Sequence, residues 1–311
     1  MALDETARGV YVIAVTPFDD SGGVDERSVA SMVDFYRGCG VSGITILGMM
    51  GEAPKLETSE AITFAKSVVQ RADGLPIVVG VSAPGFAAIR VLSAAVMDAG
   101  AAGVMIAPPA SMRTDDQVAG YYDQCVDAIG SDVPFVIQDY PLASGVVIAP
   151  KVIKRIVDTH PNCVMLKHED WPGLEKISTL RTYEIIENMR RISILTGNGG
   201  LFLDFETERG ADGAMTGYAF PEMLAELITL QAEGERDRAH NLFDAHLPLL
   251  RYEQQPGLGL AVRKYILQRR GAIASAAQRQ PASTLTASAQ AEVDYLLTRL
   301  AERDPRAKLP G

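Results

Sequence analysis

Cysteine is scarce in this chain: Cys39, Cys125 and Cys163 are the only three in 311 residues, and they lie far apart without CxxC spacing. A disulfide framework and a structural zinc site are excluded on those grounds, and a reducing cytoplasmic location is expected. Histidine is nearly as rare. Of the four present, His168 is followed directly by Glu169 and Asp170, and these adjoin it in sequence rather than at the intervals a metal needs, so neither a metal nor another cofactor is expected. Basic residues are in deficit, 29 against 39 acidic ones, for a formal charge of -10. Such a balance repels a phosphate backbone or an anionic membrane, so neither is an expected partner. No apolar run approaches the roughly 18 residues of a membrane span, and no charged-then-apolar leader is visible. Also missing are GxGxxG behind the first apolar run, GxSxG, and a plausible Cys and His pair. Their absence argues against a doubly wound dinucleotide fold and against acyl transfer.

What is present suits one large α/β domain, since hydrophobic residues make up 47% and charged residues 22%, enough to fill a core. Short apolar runs at 10–16, 44–47, 77–81, 104–107, 135–138, 164–167, 194–196 and 214–216 alternate with stretches of helical period. Strands buried on both faces and joined by helical crossovers give this pattern, and eight of them suit a closed (β/α)8 TIM barrel. GVSG at 40–43, GAAG at 100–103 and GADG at 210–213 each join a helical stretch to an apolar run. Their first glycine is expected to end a helix in the left-handed region, and their second to let the chain turn into a strand. Asp25, Ser59 and Thr114 are the expected helix caps. Beyond about Glu235 only helical stretches remain, at 236–250, 258–268 and 288–300. The expected division is a barrel at 1–234 and a helical C-terminal region at 235–311 packed on it, with 274–287 as a linker and a frayed DPRAKLPG tail.

In a barrel the chemistry sits at the C-terminal ends of the strands, so a polar residue closing an apolar run is a candidate. Lys167 closes VMLK. An amine drawn out of water is biased towards its neutral, nucleophilic form, which can attack a carbonyl; a lysine merely paired with Glu169 or Asp170 at the rim fits the same position. The turn of Gly48, Met49, Met50, Gly51 and Glu52 follows ITIL and can offer backbone N–H groups to a carboxylate. IQDYP brings Gln138, Asp139 and Tyr140 to the same rim, with Tyr140 a candidate proton donor. TGNGG adds Gly197 and Asn198, small enough for close ligand approach or for an anion cradle.

In this order the motifs resemble the dihydrodipicolinate synthase and N-acetylneuraminate lyase superfamily, from about Gly9 to about Leu300. The resemblance rests on VTPF at 15–18, the GxxGE turn at 48–52, Pro141, the strand-terminal Lys167, and Gly197 with GADGAMTG. It implies a barrel with a helical C-terminal region, commonly tetrameric, in which Lys167 forms an imine with pyruvate or another 2-oxo acid. It also places Met215, in GADGAMTG, among the substrate-binding residues. Met49 and Met50 replace the family's hydroxyl pair, Gln138 stands at its catalytic tyrosine, Ala143 at the synthase arginine, and Pro109 and Ala110 at its tyrosine pair. QDYPLASGV is closer to the QDxPxSG form of dehydratases acting on 2-oxo-3-deoxy sugar acids. The function expected is a Schiff-base lyase, aldolase or dehydratase, with Lys167, Gln138 and Tyr140 catalytic. The synthase itself, a phosphosugar-binding barrel and a non-catalytic 2-oxo acid sensor remain alternatives.

Overall fold

Strands too short and too apolar to present a solvent face have to be covered on both sides, and the chain achieves this by closure. The computed structural model describes residues 2–309. Among them are eight parallel strands: β1 Gly9–Ile13, β2 Gly43–Ile46, β3 Ile77–Gly80, β4 Gly103–Ile106, β5 Phe135–Asp139, β6 Cys163–His168, β7 Ser193–Thr196 and β8 Gly213–Ala214. Each pairs with the next in sequence, and β8 returns to β1, closing the barrel. Tyr11, Ile13, Val78, Met105, Val136, Met165, Leu195 and Met215 fill the interior, while the alternate residues pack against the surrounding helices. Leu3 plugs the bottom, its N–H donating to the Ala102 carbonyl.

The αβ turns follow the glycine pattern. Gly40, Gly100 and Gly210 have φ of +72, +97 and +98°, values that L side chains resist. Gly43 and Gly213 are needed for space rather than for turning: a Cβ would fall 2.4 Å from the Tyr11 ring at Gly43 and 2.0 Å from the Gly9 carbonyl oxygen at Gly213. Asp25 and Thr114 cap their helices as expected, but Glu57 rather than Ser59 caps the helix Thr58–Arg71, through a reciprocal bond with Glu60.

The pairing of β5 with β6 carries a register shift at Phe135/Val136. An extra residue in β6 is absorbed there, so both Val164 and Met165 reach the interior and every later residue of β6 changes face. Lys167 consequently lies opposite Gln138, both pointing inward.

Helices Arg236–Glu253, Gly259–Arg269 and Ala287–Ala301 form the C-terminal region. The expected linker is present, and the expected fraying of the tail is not. The stretch 274–287 is irregular but acts as a strap: the Ala277 carbonyl accepts from Lys264 Nζ at 2.7 Å, and the Arg279 side chain binds Glu60 and the Gly22 carbonyl. The tail is anchored too. Asp304 accepts from His246 Nε2 at 2.9 Å and Ala307 is buried; Pro310 and Gly311 lie outside the described residues. No helix among them is long and apolar enough to cross a membrane.

Candidate active site

The strand ends deliver their side chains to two connected spaces at the barrel mouth. An inner chamber of about 70 Å³ is lined by Met50, Lys167, Glu169, Asn198 and Arg263, among others. An outer cavity of about 300 Å³ lies above it, between Gly48, Ala53, Pro108, Ala110 and Ser144. Met49, Gln138 and Tyr140 border both.

Lys167 is 5% exposed and Glu169 6%. The lysine Nζ lies 2.9 Å from Glu169 Oε2, and the same oxygen accepts from Gln138 Nε2 at 2.9 Å. The strand period puts residues 167 and 169 on one face and turns His168 outward. One strand end therefore supplies both an amine and a carboxylate to the chamber. Gly197 makes room for that carboxylate, since a Cβ there would lie 2.3 Å from Glu169 Cγ. Asn198 Nδ2 holds the Glu169 carbonyl oxygen at 2.9 Å.

Tyr140 arrives differently from the expectation of a continued strand. β5 stops at Asp139 and Tyr140 precedes the short helix Pro141–Ser144, yet its side chain still borders the chamber. Burial, and secondarily the charge of Glu169, raises its phenol above the usual value, so it stays protonated. Met49 is 49% exposed and walls both spaces; Met50 reaches from the inner chamber to the interior cluster. Because they open a single 3-10 turn, Met49 and Met50 carry backbone N–H groups with no partner inside it.

Four expected site residues face elsewhere. Asp139 points out of the barrel, where Lys176 Nζ binds its carboxylate at 2.5 Å and His168 Nδ1 stands 3.7 Å away; the alternation that brings Gln138 in sends Asp139 out. Glu52, in the left-handed region at φ 55°, turns behind the loop to Lys264 Nζ at 2.6 Å and Lys55 Nζ at 2.8 Å. Gly51 accompanies it, its carbonyl accepting from Thr16 Oγ1 at 2.5 Å. Met215 is fully buried in the barrel interior, below the chamber.

Several lining residues fall outside the sequence-based set, and two of them are charged. Glu169 figured there only as a counter-ion, although its spacing of two from Lys167 was a usable signal. Arg263 comes from the helix Gly259–Arg269, and nothing local in the sequence aims it at the barrel mouth.

The dihydrodipicolinate synthetase family matches the chain over residues 6–300. The L-2-keto-3-deoxyarabonate dehydratase of Azospirillum brasilense is 28% identical, with 94% of each chain covered. The 4-hydroxy-tetrahydrodipicolinate synthase of Pelobacter propionicus is 29% identical over 78% of this chain and 81% of its own. Among solved structures, a dihydrodipicolinate synthase from Rhodopseudomonas palustris is 58% identical, covering 96% of this chain and 99% of its own, with a TM-score of 0.95.

Proposed function

The chain belongs to the dihydrodipicolinate synthetase family as a Schiff-base-forming lyase acting on 2-oxo acids, and from that premise we propose that it dehydrates a 2-oxo-3-deoxy sugar acid. The observation that carries this is the Glu169 carboxylate 2.9 Å from Lys167 Nζ. Lys167 attacks the C2 carbonyl and water leaves, giving an iminium that acts as an electron sink. A base beside the imine nitrogen is within reach of a C3 proton, one bond beyond the imine carbon. Glu169 takes that proton, the resulting enamine expels the C4 hydroxyl, and the same carboxylate returns the proton so that the group departs as water. Retro-aldol cleavage needs a base at the C4 hydroxyl instead. Gln138 has no titratable proton and Tyr140 is held protonated, so neither serves as that base. Tyr140 donates a hydrogen bond to the departing hydroxyl, while Gln138 holds Glu169 in place. The likeness to the Azospirillum dehydratase along nearly the whole chain and the QDYPLASG segment support the same outcome.

Ala143 and Ala110 line the outer cavity without a charged group, which disfavours aspartate semialdehyde as a second substrate. Three free thiols, each pushed up to about 12 by burial, suit a reducing cytoplasm. An apolar groove of about 1010 Å³ bordered by Trp171, Phe202 and Phe205 suits association between copies.

Incubation with 2-oxo-3-deoxy pentonates, followed by borohydride and mass mapping, tests the reaction. The expected result is an adduct on Lys167 in wild type and in Glu169→Gln, with turnover in the variant reduced by about 10²- to 10⁴-fold. Release of pyruvate, or an adduct on another lysine, would overturn it.

A further inference from the structure

We propose that Arg263 determines specificity by pairing, through its Nη1, with the carboxylate of the 2-oxo acid held on Lys167, an inference that rests on the Schiff-base function above. Arg263 is 2% exposed, yet only part of its guanidinium is satisfied. Nε donates to Glu253 Oε1 at 2.5 Å and Nη2 to the Gly217 carbonyl. Nη1 is buried without a hydrogen-bond partner. An unpaired donor on a buried charged group is costly, and such an exception in a folded protein calls for an explanation.

The location says which partner. Arg263 and Gly217 line the same 70 Å³ chamber as Lys167 and Glu169. Gly217 is what lets the guanidinium come so close: a Cβ there would fall 2.0 Å from Nη1 and 3.0 Å from the Ile13 carbonyl oxygen. The chamber is small beside the outer cavity of about 300 Å³, which places the head of a 2-oxo acid in the chamber and the rest of its chain outside. In such an acid the carboxylate is bonded to the imine carbon, so fixing that carbon on Lys167 fixes the carboxylate inside the chamber.

Charge and valence agree. A carboxylate offers about four acceptor sites, and the turn at Met49 and Met50 supplies backbone N–H groups but no side-chain donor, because thioethers are at best weak acceptors. Lys167 and Glu169 already offset one another, as do Arg263 and Glu253. The incoming carboxylate therefore needs a donor not already engaged. Nη1 is that donor, and the hydrogen bond it forms is charge-assisted.

The test compares pyruvate with its neutral methyl ester as imine-forming probes, reading borohydride-trapped adduct on Lys167 at subsaturating ligand. In Arg263→Gln, the preference for pyruvate over the ester should fall by roughly ten- to a hundredfold, with ester trapping nearly unchanged. Where that variant does not fold, Arg263→Lys takes its place. It keeps a positive charge for Glu253 but loses the planar fork that reaches both Gly217 and the chamber, and the same ratio should fall. A ratio equal to wild type in the folded variant, or equal losses with both probes, would overturn the inference and leave Arg263 a structural residue. No adduct with either probe in wild type would instead remove the Schiff-base function, and this inference with it.

Discussion

Gly197 contributes a space rather than a group. The 2.3 Å that would separate a Cβ from Glu169 Cγ is too short for any adjustment of Glu169 that keeps its carboxylate on Lys167. Gly197→Ala should therefore push that carboxylate away, cutting turnover by at least about tenfold while imine trapping on Lys167 persists; a 1 Å displacement of a catalytic group can cost about a hundredfold. Trapping and turnover assays on the same preparation check this, and equal turnover would show that Glu169 tolerates displacement. At this scale the sequence reveals a residue where strand period and chain neighbours decide its direction. Lys167 is legible as a candidate because it closes an apolar run at the C-terminal end of a barrel strand. Glu52 is not, because its direction depends on Lys264, 212 residues away. Asp139 misleads through simple adjacency to Gln138, although a period of two already turns it outward.

On the short helix Leu203–Glu208 lies another buried carboxyl, Glu206. Burial pushes it up to about 7, against the hydroxyl of Thr196 and the charge of His168, which favour ionisation, and with Asp204 and Glu169 opposing it. Unfolded, the same group ionises near 4.5. The folded state thus binds more protons than the unfolded one between those values. Its contribution is fully present below about 4.5 and is lost as pH rises through about 7. Glu206→Gln needs no proton, so its stability relative to wild type should rise by about 3 kcal/mol between pH 4 and pH 8. Urea unfolding at the two pH values checks this, and a constant difference would refute a buried protonated Glu206. The element scale was the most legible one in the sequence, because strands, crossover helices and the Gly40, Gly100 and Gly210 turns rest on local pattern. The extra residue in β6 was invisible, since a register shift appears only when two strands meet.

At the scale of the whole molecule, the C-terminal region is stitched into the barrel mouth. The fully buried Lys264 reaches Glu52 Oε1, the Thr16 carbonyl at 2.8 Å and the Ala277 carbonyl, joining the loop after β1, the turn after β2, the helix Gly259–Arg269 and the strap. The Phe18 ring lies against Lys264 Nζ and the Arg279 guanidinium, each 4.7 Å from its centroid. Lys264→Met would leave Glu52 buried with only Lys55 and the Arg279 N–H as partners. A loss of about 3 kcal/mol is expected, read as a lower denaturation midpoint. A midpoint unchanged from wild type would mean that Lys55 alone neutralises Glu52. The anchoring of the linker and of the tail escaped the sequence for a common reason. Composition rich in Ala, Gln, Ser and Thr describes the absence of regular structure, not the absence of contacts, and Arg279 alone ties 274–287 to three other segments.

Leu3, packed under the barrel with Met105, Met165 and Met215 stacked above it, makes the interior a dead end. Everything that enters the reaction chamber has to leave by the same mouth. In the reaction proposed at Lys167, the water expelled when the imine forms would pass outward alongside the bound chain, and the water that later frees the product would enter by the same route. Departure is therefore queued: the product's outer end has to shift before its inner end can be hydrolysed from Lys167. A longer chain, filling more of the outer cavity, should hold the covalent intermediate longer, so residence time on the lysine becomes a function of ligand length rather than of the chemistry at its head.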